Sequence, residues 1–481
     1  MKLSELLEGV PLLEGSAEAD ETEITALSMH SEGCTEGALF FAIRGGKEDG
    51  GNYVSDAAAR GAAAVVTERP LRSSLKEILV PDARAALALI AGNFYYNAHR
   101  ELKIITVTGT NGKTTTCRMI SEILRAANRN VAVFGTLGVT INGREIPSEL
   151  TTPDPIELHR LFQIAHLAGV EYVVMEASAH AIALRKLTGI RAKVAVFTNL
   201  TQDHLDFFGD METYGKCKAG YFTKENADFA VVNSDDEWGR RIIAETPLPT
   251  ATYGVENPAD TFAIDADCTS GTRCVVNSFD DIFELVTPFS GEFNLYNALA
   301  AITVTRLLSV NTDTIVRAFF RMPEVAGRFN IIESTKRVII DFAHTPDGLK
   351  NLLTAARAIT RGRLIVVFGC GGDRDPKKRS VMGRIAAEYA DFGVLTSDNS
   401  RTEDPKDIIR QIENGYKEIS SSYITIVERS SAITYAVVVA RPEDVVVIAG
   451  KGAEPYMDEG GVKRPYSDRA EVLEIFRRYN L

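Results

Sequence analysis

Val107-Thr108-Gly109-Thr110-Asn111-Gly112-Lys113-Thr114-Thr115-Thr116 is the stretch on which the fold turns. The apolar run Ile104 to Val107 in front of it reads as a buried strand. Behind it, Cys117, Ile120, Ile123, Leu124 and Ala127 share one face of a helix. Strand, glycine turn, lysine, hydroxyl and helix start together make a phosphate cradle, with backbone N–H groups and the positive helix end facing the anion. Gly109, Thr110, Asn111, Gly112 and Thr115 supply that loop, Lys113 supplies a charge for the outer phosphates, and Thr114 supplies a hydroxyl for Mg²⁺. The longer form of the motif starts with a glycine where Val107 stands, so this is a shortened Gly-x-x-Gly-Lys-Thr loop. An ordinary strand–turn–helix with a surface lysine would need neither this spacing nor this context. Nucleoside triphosphate binding is the firmest inference the residues allow.

Working outward, the 481-residue chain is long enough for two to four domains with substantial cores. It is 45% hydrophobic and 25% charged, an ordinary globular balance. A net charge of −12 argues against general nucleic-acid or membrane-surface binding. The six cysteines are scattered without Cys-x-x-Cys spacing, which suggests neither a zinc site nor a disulfide framework. The start, Met1 to Glu5, lacks signal-peptide character, and no apolar run reaches membrane-spanning length. A cytoplasmic protein without a membrane span is expected, acting as a monomer on small molecules.

The predicted fold class is α/β with three domains. Residues 1–98 form a small α/β block, with strands at 39–43 and 62–66, a helix over 54–60 and another over 83–97. Residues 99–328 form the block around the phosphate loop. Strands recur there at 104–107, 131–134, 172–175, 194–197 and 229–232, with helices between several of them, notably 155–168. This alternation predicts a largely parallel sheet covered by helices. Residues 251–288 are more polar and read as an antiparallel edge, and 294–308 reads as a helix. Residues 329–481 carry strands at 338–340, 364–368, 393–396, 424–427 and 445–448, the first four each followed by a helical segment. That is a Rossmann-like, doubly wound pattern, whose ligands bind at the carboxyl ends of the strands. Asp341, His344, Gly371 to Arg374, Asp398 to Arg401 and Gly450 to Gly452 all fall at those ends.

In the central block, Glu176, Ser178 and His180 directly follow one strand, while Asn199, Asp203 and His204 follow another. A parallel sheet brings both groups to the edge of the phosphate loop. Glu176 offers a hard oxygen and His204 a nitrogen for a divalent ion that also meets phosphates. The alternative, that these residues only cap helices, is weaker for the set than for any one of them. Lys218, by residue type alone, reads as a solvated lysine.

The chain resembles the Mur ligase family, and within it the tripeptide-forming branch, over nearly its whole length. The resemblance rests on Thr-Gly-Thr-Asn-Gly-Lys-Thr-Thr (108–115), Thr-Thr-Pro-Asp (151–154), Phe-Thr-Asn-Leu-Thr-Gln-Asp-His-Leu-Asp (197–206) and Phe-Asn-Leu-Tyr-Asn-Ala-Leu-Ala-Ala (293–301). It continues through Asp-Phe-Ala-His-Thr-Pro-Asp (341–347), Phe-Gly-Cys-Gly-Gly-Asp-Arg-Asp (368–375), Asp-Asn-Ser-Arg (398–401) and Gly-Lys-Gly-Ala-Glu (450–454). The resemblance implies one domain each for the uridine nucleotide, ATP and the incoming amino acid. ATP would phosphorylate the free carboxylate of UDP-MurNAc-L-Ala-D-Glu, and an amine would then attack the acyl phosphate, a step in making peptidoglycan precursors. Positioning and charge neutralisation are the protein's main tasks in such chemistry, with Mg²⁺ and Lys113 carrying the electrostatics.

By the same resemblance, Ser31, Thr151, Thr152, Ser178 and Lys186 contact the UDP-sugar, and Asn297, Arg328 and Asp341 help hold ATP. Lys113, Glu176, His204 and Lys218 form the catalytic set. Thr114, Glu176, His204 and Lys218 are the implied metal neighbours, with Lys218 an N6-carboxylysine: carbamylation turns a cation into a metal-binding carboxylate. Arg374, Asp398, Asn399, Ser400, Arg401, Gly450 and Glu454 match the amino-acid contacts. The family's Asp-Asn-Pro-Arg motif marks meso-diaminopimelate, whose distal carboxylate takes a bidentate arginine. Here the arginine is kept and the proline is Ser400. A buried arginine facing no carboxylate would be costly, so diaminopimelate is favoured over L-lysine.

Several positions depart from the family pattern. His30-Ser31-Glu32 replaces Asp-Ser-Arg, Ala179 replaces a serine, and Leu184 and Lys186 stand for glutamine and arginine. Phe208 and Ala453 each stand where histidine is usual, and Asn330 stands for an acid. Lys186 keeps charge without arginine's fork. These changes leave open a paralogue acting on another carboxylate acceptor. The folylpolyglutamate synthetases lack the leading uridine-nucleotide block, and a silent ATP-binding partner would not need intact Gly109 to Thr115, His204 and Lys218.

Overall fold

The computed structural model describes every residue except Lys47, Glu149 and Asp280. Among the described residues, three main sheets follow one another along the chain, with a small two-stranded hairpin near the end. The first sheet is fully parallel, in the order Ala26–Ser28, Ala38–Phe41, Ala64–Thr67, Lys76–Leu79. Its outer strands are absent from the sequence expectation because each is short and carries little apolar signal. The helix Ala83–Phe94 stops before the expected 97, where Tyr96 and Asn97 turn left-handed at φ 58° and 51°.

The second sheet has eleven strands, with the phosphate-loop strand Lys103–Thr108 between Ala192–Phe197 and Tyr172–Glu176. The parallel core runs from Thr250–Gly254 to Val131–Gly135, as the alternation predicts. Thr261–Asp267, Thr272–Ser278 and Asp281–Thr287 pair antiparallel to one another at one end, so the antiparallel edge expected over 251–288 is narrower than predicted: Thr250–Gly254 belongs to the parallel core, and Thr261–Asp267 pairs parallel with it. A hairpin of Gly138–Ile141 and Arg144–Ile146 extends the other end, unforeseen because its turn interrupts a very short pattern. Register places the functional residues: Val107 lies opposite Glu176 on one side and Val196 on the other. Along the central strand, alternate residues enter opposite cores. Ile105 and Val107 pack with Ile120 and Leu124 of the Lys113–Ala126 helix, whereas Ile104 packs with Leu158 and Phe162 of Pro155–Leu167.

The third sheet runs Asn330–Glu333, Arg337–Asp341, Val445–Ala449, Leu364–Phe368, Phe392–Leu395, Tyr423–Thr425, with only the first strand antiparallel. Helices cover both faces, as a doubly wound sheet requires. Val366 and Phe368 face Leu352, Met382 and Ile412, while Ile365 and Val367 face Ile433, Val437 and Val472. The crossovers put the ends after Asp341, Phe368, Leu395 and Ala449 along one edge.

Candidate functional site

The phosphate loop is drawn tightly against the end of the neighbouring strand. Thr110 N–H donates to the Asn199 carbonyl at 2.8 Å, Asn111 N–H to Asn199 Oδ1 at 2.9 Å, and Thr198 Oγ1 to the Asn111 carbonyl at 2.7 Å. This closeness explains the glycines. Gly109 has φ +143°, and a Cβ there would lie 1.8 Å from Thr198 Oγ1; at Gly112, φ +86°, it would lie 2.3 Å from Asn297 Oδ1. Asn297 Oδ1 accepts from Thr116 Oγ1 at 3.2 Å, tying the Glu292–Leu307 helix to the loop helix.

Two lysines meet beneath the loop. Lys113 Nζ donates to the carbonyls of Gly109 at 3.0 Å and Thr110 at 2.8 Å, and Lys218 Nζ donates to the same Gly109 oxygen at 2.8 Å. Lys218 is 1% exposed, which overturns its reading as a solvated residue. The Met211–Ala219 helix directs it inward, 4.7 Å above the Tyr214 ring. Composition could not reveal this; only the packing of that helix does. Burial pushes the Lys218 amine well below its ordinary range, and the neighbouring Lys113 charge adds to the effect. Burial also lowers Lys113, against the opposing pull of Glu176 and Asp203.

Thr114 Oγ1 lies 2.9 Å from Glu176 Oε1, and Arg328 Nη2 donates to Thr114 Oγ1 at 3.1 Å. Glu176 also accepts from Thr136 N–H at 2.8 Å and Thr136 Oγ1 at 3.1 Å. Thr114 and Glu176 therefore present two hard oxygens beside the loop. Among the described residues no three His, Cys, Asp or Glu side chains form a ready-made metal cage. The donor set fits Mg²⁺, which takes one or two carboxylates and completes its shell with water and phosphate oxygens.

His204 stands slightly apart. Its backbone is left-handed at φ 56°, its ring stacks edge-on against His180 at 4.7 Å, and burial drives its pKa down to about 3. Asp203 is the centre of this corner: His204 Nε2 at 3.3 Å, His344 Nε2 at 3.5 Å and Lys378 Nζ at 3.6 Å surround its carboxylate. Burial works against the charge on Asp203, yet these neighbours hold it well below the usual carboxylate range. His344 and Lys378 come from the third sheet's helices and loops, and Asn111 Nδ2 bonds Asp347 Oδ2 across the same junction at 3.0 Å. The role of Lys378 had no local signal in sequence, since it becomes visible only when the two sheets meet. Asp341 accepts from the backbone of Phe329 and Ala343, each at 2.7 Å, and burial raises its pKa despite the nearby Arg328.

The residues expected to meet a sugar nucleotide fall in two places. Thr151, Thr152, Ser178 and Lys186 gather behind Glu176. Thr152 Oγ1 donates to the Glu176 carbonyl at 2.8 Å and lies 3.2 Å from Ser178 Oγ; Thr151 Oγ1 lies 3.2 Å from Thr136 Oγ1; Lys186 pairs with Asp154 at 2.7 Å. Ser178 also caps the short helix after it, accepting from Ala181 N–H. Ser31 lies in the first sheet's block, buried and near Asp56, whose carboxyl it helps hold below its ordinary range. Of the departures, Phe208 is buried against Tyr214 and His180, and Asn330 binds the Gly327 N–H.

Along the third sheet's edge, Asn399 Nδ2 donates to Glu454 Oε2 at 2.9 Å, and Lys451 Nζ donates to both Asn399 Oδ1 at 2.9 Å and Glu454 Oε2 at 3.0 Å. Lys451 is fully buried; the sequence places it in a polar cluster at a strand end, between two glycines, but assigns it no role of its own. Burial opposes the charge of Asp398, but Lys451 and Arg429 hold its carboxyl below the ordinary range. Arg401 sits at φ 50° with its backbone paired to the Tyr456–Glu459 strand and its guanidinium on the Gly372 carbonyl. Ser400 is buried beside it, Gly450 has φ +113°, and Arg374 is exposed on the preceding loop.

Comparison with known proteins places this geometry. Residues 23–95 match the Mur ligase family catalytic domain, 107–305 the Mur ligase middle domain, and 327–452 the Mur ligase glutamate ligase domain. The chain is 42% identical over 481 residues to the UDP-N-acetylmuramoyl-L-alanyl-D-glutamate–2,6-diaminopimelate ligase of Caldanaerobacter subterraneus subsp. tengcongensis, covering 99% of each. It is 40% identical to the enzyme of the same name from Geobacillus thermodenitrificans, covering 93% of this chain and 94% of that one. A solved structure of such a ligase superposes with TM-score 0.71 at 30% identity, covering 100% and 99% of the two chains. The ADP-bound folylpolyglutamate synthase of Mycobacterium tuberculosis, 19% identical with TM-score 0.64, shares the fold over 76% of this chain and 92% of its own.

Proposed function

From the premise that the chain belongs to the Mur ligase family, we propose that it is an ATP-dependent ligase that joins meso-diaminopimelate to the D-glutamyl carboxylate of UDP-MurNAc-L-Ala-D-Glu. The observation that carries this reading is the meeting of Lys113 and Lys218 on one carbonyl, beside Thr114 and Glu176, with Arg328 reaching in. Residues 1–98 hold the uridine nucleotide, 99–328 hold ATP, and 329–481 hold the amino acid. The reaction consumes ATP, and we place it in the cytoplasm.

The chemistry follows from the parts. A carboxylate oxygen of the acceptor attacks the terminal phosphorus of ATP, the bond to the bridging oxygen breaks, and ADP leaves. The amine then attacks the acyl carbon, phosphate departs, and an amide remains. Gly109 to Thr115 orient the triphosphate through backbone N–H groups, and Lys113 neutralises its outer oxygens. Asn297, Arg328 and Asp341 secure the nucleotide from the junction with the third block. Thr114 and Glu176 would hold Mg²⁺, with His204 nearby. When bound, the ion supplies charge neutralisation on the phosphates.

Lys218 has the property that carbamylation needs. Only a neutral amine adds to CO₂, forming an N–C bond and releasing a proton; burial and Lys113 favour the neutral form. The resulting carboxylate is a further hard oxygen for the metal. Thr151, Thr152, Ser178, Lys186 and Ser31 bind the UDP-sugar. Asp398, Asn399 and Glu454 meet the amino acid's ammonium group, while Arg374 and Arg401 meet its carboxylates, aided by Ser400 and Gly450.

The test is a coupled phosphate-release assay with candidate acceptors and amines. Release that requires both UDP-MurNAc-L-Ala-D-Glu and diaminopimelate is expected. Release without either, or a clear preference for L-lysine, would overturn the corresponding half of the reading.

A further inference from the structure

Arg429 and Asp468 form an ion pair in which neither side chain has any solvent exposure. The guanidinium grips the carboxylate bidentately, Nε to Oδ1 and Nη2 to Oδ2, both at 2.8 Å. Its remaining donors reach two backbone carbonyls: Nη1 to Ser397 at 3.3 Å and Nη2 to Ala449 at 3.0 Å. Ser397 and Ala449 immediately precede Asp398 and Gly450. Ala449 ends its strand and Ser397 lies two residues past the end of another, and the two strands are not neighbours, since Leu364–Phe368 runs between Phe392–Leu395 and Val445–Ala449. Arg429 opens the Arg429–Val439 helix, and Asp468 opens the Asp468–Tyr479 helix at the end of the chain.

A desolvated ion pair of this kind is weak evidence for stability, because an apolar pair of similar volume often does as well. What an apolar pair cannot do is hold two carbonyls at a set spacing through a rigid planar fork. We propose that Arg429, locked by Asp468, is a positioning residue for the amino-acid site: it fixes the separation between the Asp398–Arg401 loop and the Gly450–Glu454 loop, and so the affinity for the incoming amine. The inference rests on the assignment of those loops to the amino acid. It also gives the last helix a role in substrate recognition that its distance in sequence from the site conceals.

The test compares Arg429→Met/Asp468→Leu, which removes both charges together, with Arg429→Lys, which keeps the charge and loses the fork. Folding is followed by thermal denaturation, and KM is measured separately for the amine, ATP and the UDP-linked acceptor in the full-length enzyme. Both variants are expected to fold and to raise KM for the amine about tenfold or more, the cost of loosening a supporting shell, with KM for ATP unchanged. A folded variant with an unaltered amine KM, or one in which all three KM values rise together, overturns the proposal. So does a variant that fails to fold, since the pair would then be a stability element. The amine used is whichever one the wild-type enzyme adds, so a preference for lysine would sink the substrate reading and leave this test intact.

Discussion

Lysines withdrawn wholly or partly from solvent lie at the carboxyl edges of both large sheets, and they are handled in opposite ways. Under the phosphate loop, Lys113 and Lys218 donate to neutral carbonyls and crowd the same oxygen. At the third sheet's edge, Lys451 donates to Asn399 and to the Glu454 carboxylate, with Asp398 close by. The first arrangement leaves positive charge for incoming anions and favours one neutral amine. The second is balanced before any substrate arrives. Phosphoryl transfer needs a field that a substrate completes, whereas recognition of a zwitterion needs a fixed frame of paired acids and bases.

The most severe way to break this contrast is Lys113→Ala. Peptide-bond synthesis is expected to fall by at least about 10²–10³-fold, as when a main charge stabiliser is lost; a parental rate of product accumulation would refute the assignment. Next is Lys218. Removing CO₂ should lower activity reversibly, and Lys218→Ala should cost about 10²-fold. Mass spectrometry of the intact peptide under preserving conditions should show an added CO₂, and a bare lysine in fully active enzyme would contradict the carbamate.

At the balanced edge, Arg401→Ala should cost about 2–5 kcal/mol in kcat/KM for diaminopimelate, the range for truncating one partner of a buried, hydrogen-bonded charge pair. Steady-state kinetics should leave KM for ATP unchanged; equal losses for both substrates would mean that Arg401 acts structurally rather than by recognition.

The smallest effect lies away from both sites and serves as their control. His99 and His159 are buried edge-to-face, 4.9 Å apart, where the Ala83–Phe94 and Pro155–Leu167 helices meet. Burial chiefly pushes their pKa values down to about 4 and about 3. Unfolded histidine titrates near ~6.5, so the unfolded chain binds protons that the folded chain refuses. Stability from this pair is full above that value and declines as pH falls toward the folded values. Each ring should cost about 2 kcal/mol by pH 5 relative to pH 7. On lowering the pH from 7 to 5, wild type should lose about 2 kcal/mol more than His159→Phe, so the difference between their urea midpoints should shift in the variant's favour; a constant gap would show that the pair is not the cause.

How much of this was legible varied with how local the cause was. The phosphate loop, the parallel order around it and the doubly wound third sheet follow from apolar runs and glycine spacing. Short strands such as Ala26–Ser28, and the hairpins at 138–146 and 456–465, carry too few residues to show a period. Lys218 illustrates the limit best. Its residue type suggested solvent, its resemblance suggested a metal, and only the packing of its helix puts the amine beneath Gly109.

By itself the sequence determined the order of the elements, the phosphate-binding loop and the family, because turn chemistry and hydrophobic period act between residues close along the chain. The tertiary structure alone decided which charges share a dielectric: Lys113 with Lys218, Asp203 with His344 and Lys378, and Arg429 with Asp468. Those pairings join residues far apart in the chain, and their strength depends on distance and burial, which no local pattern encodes.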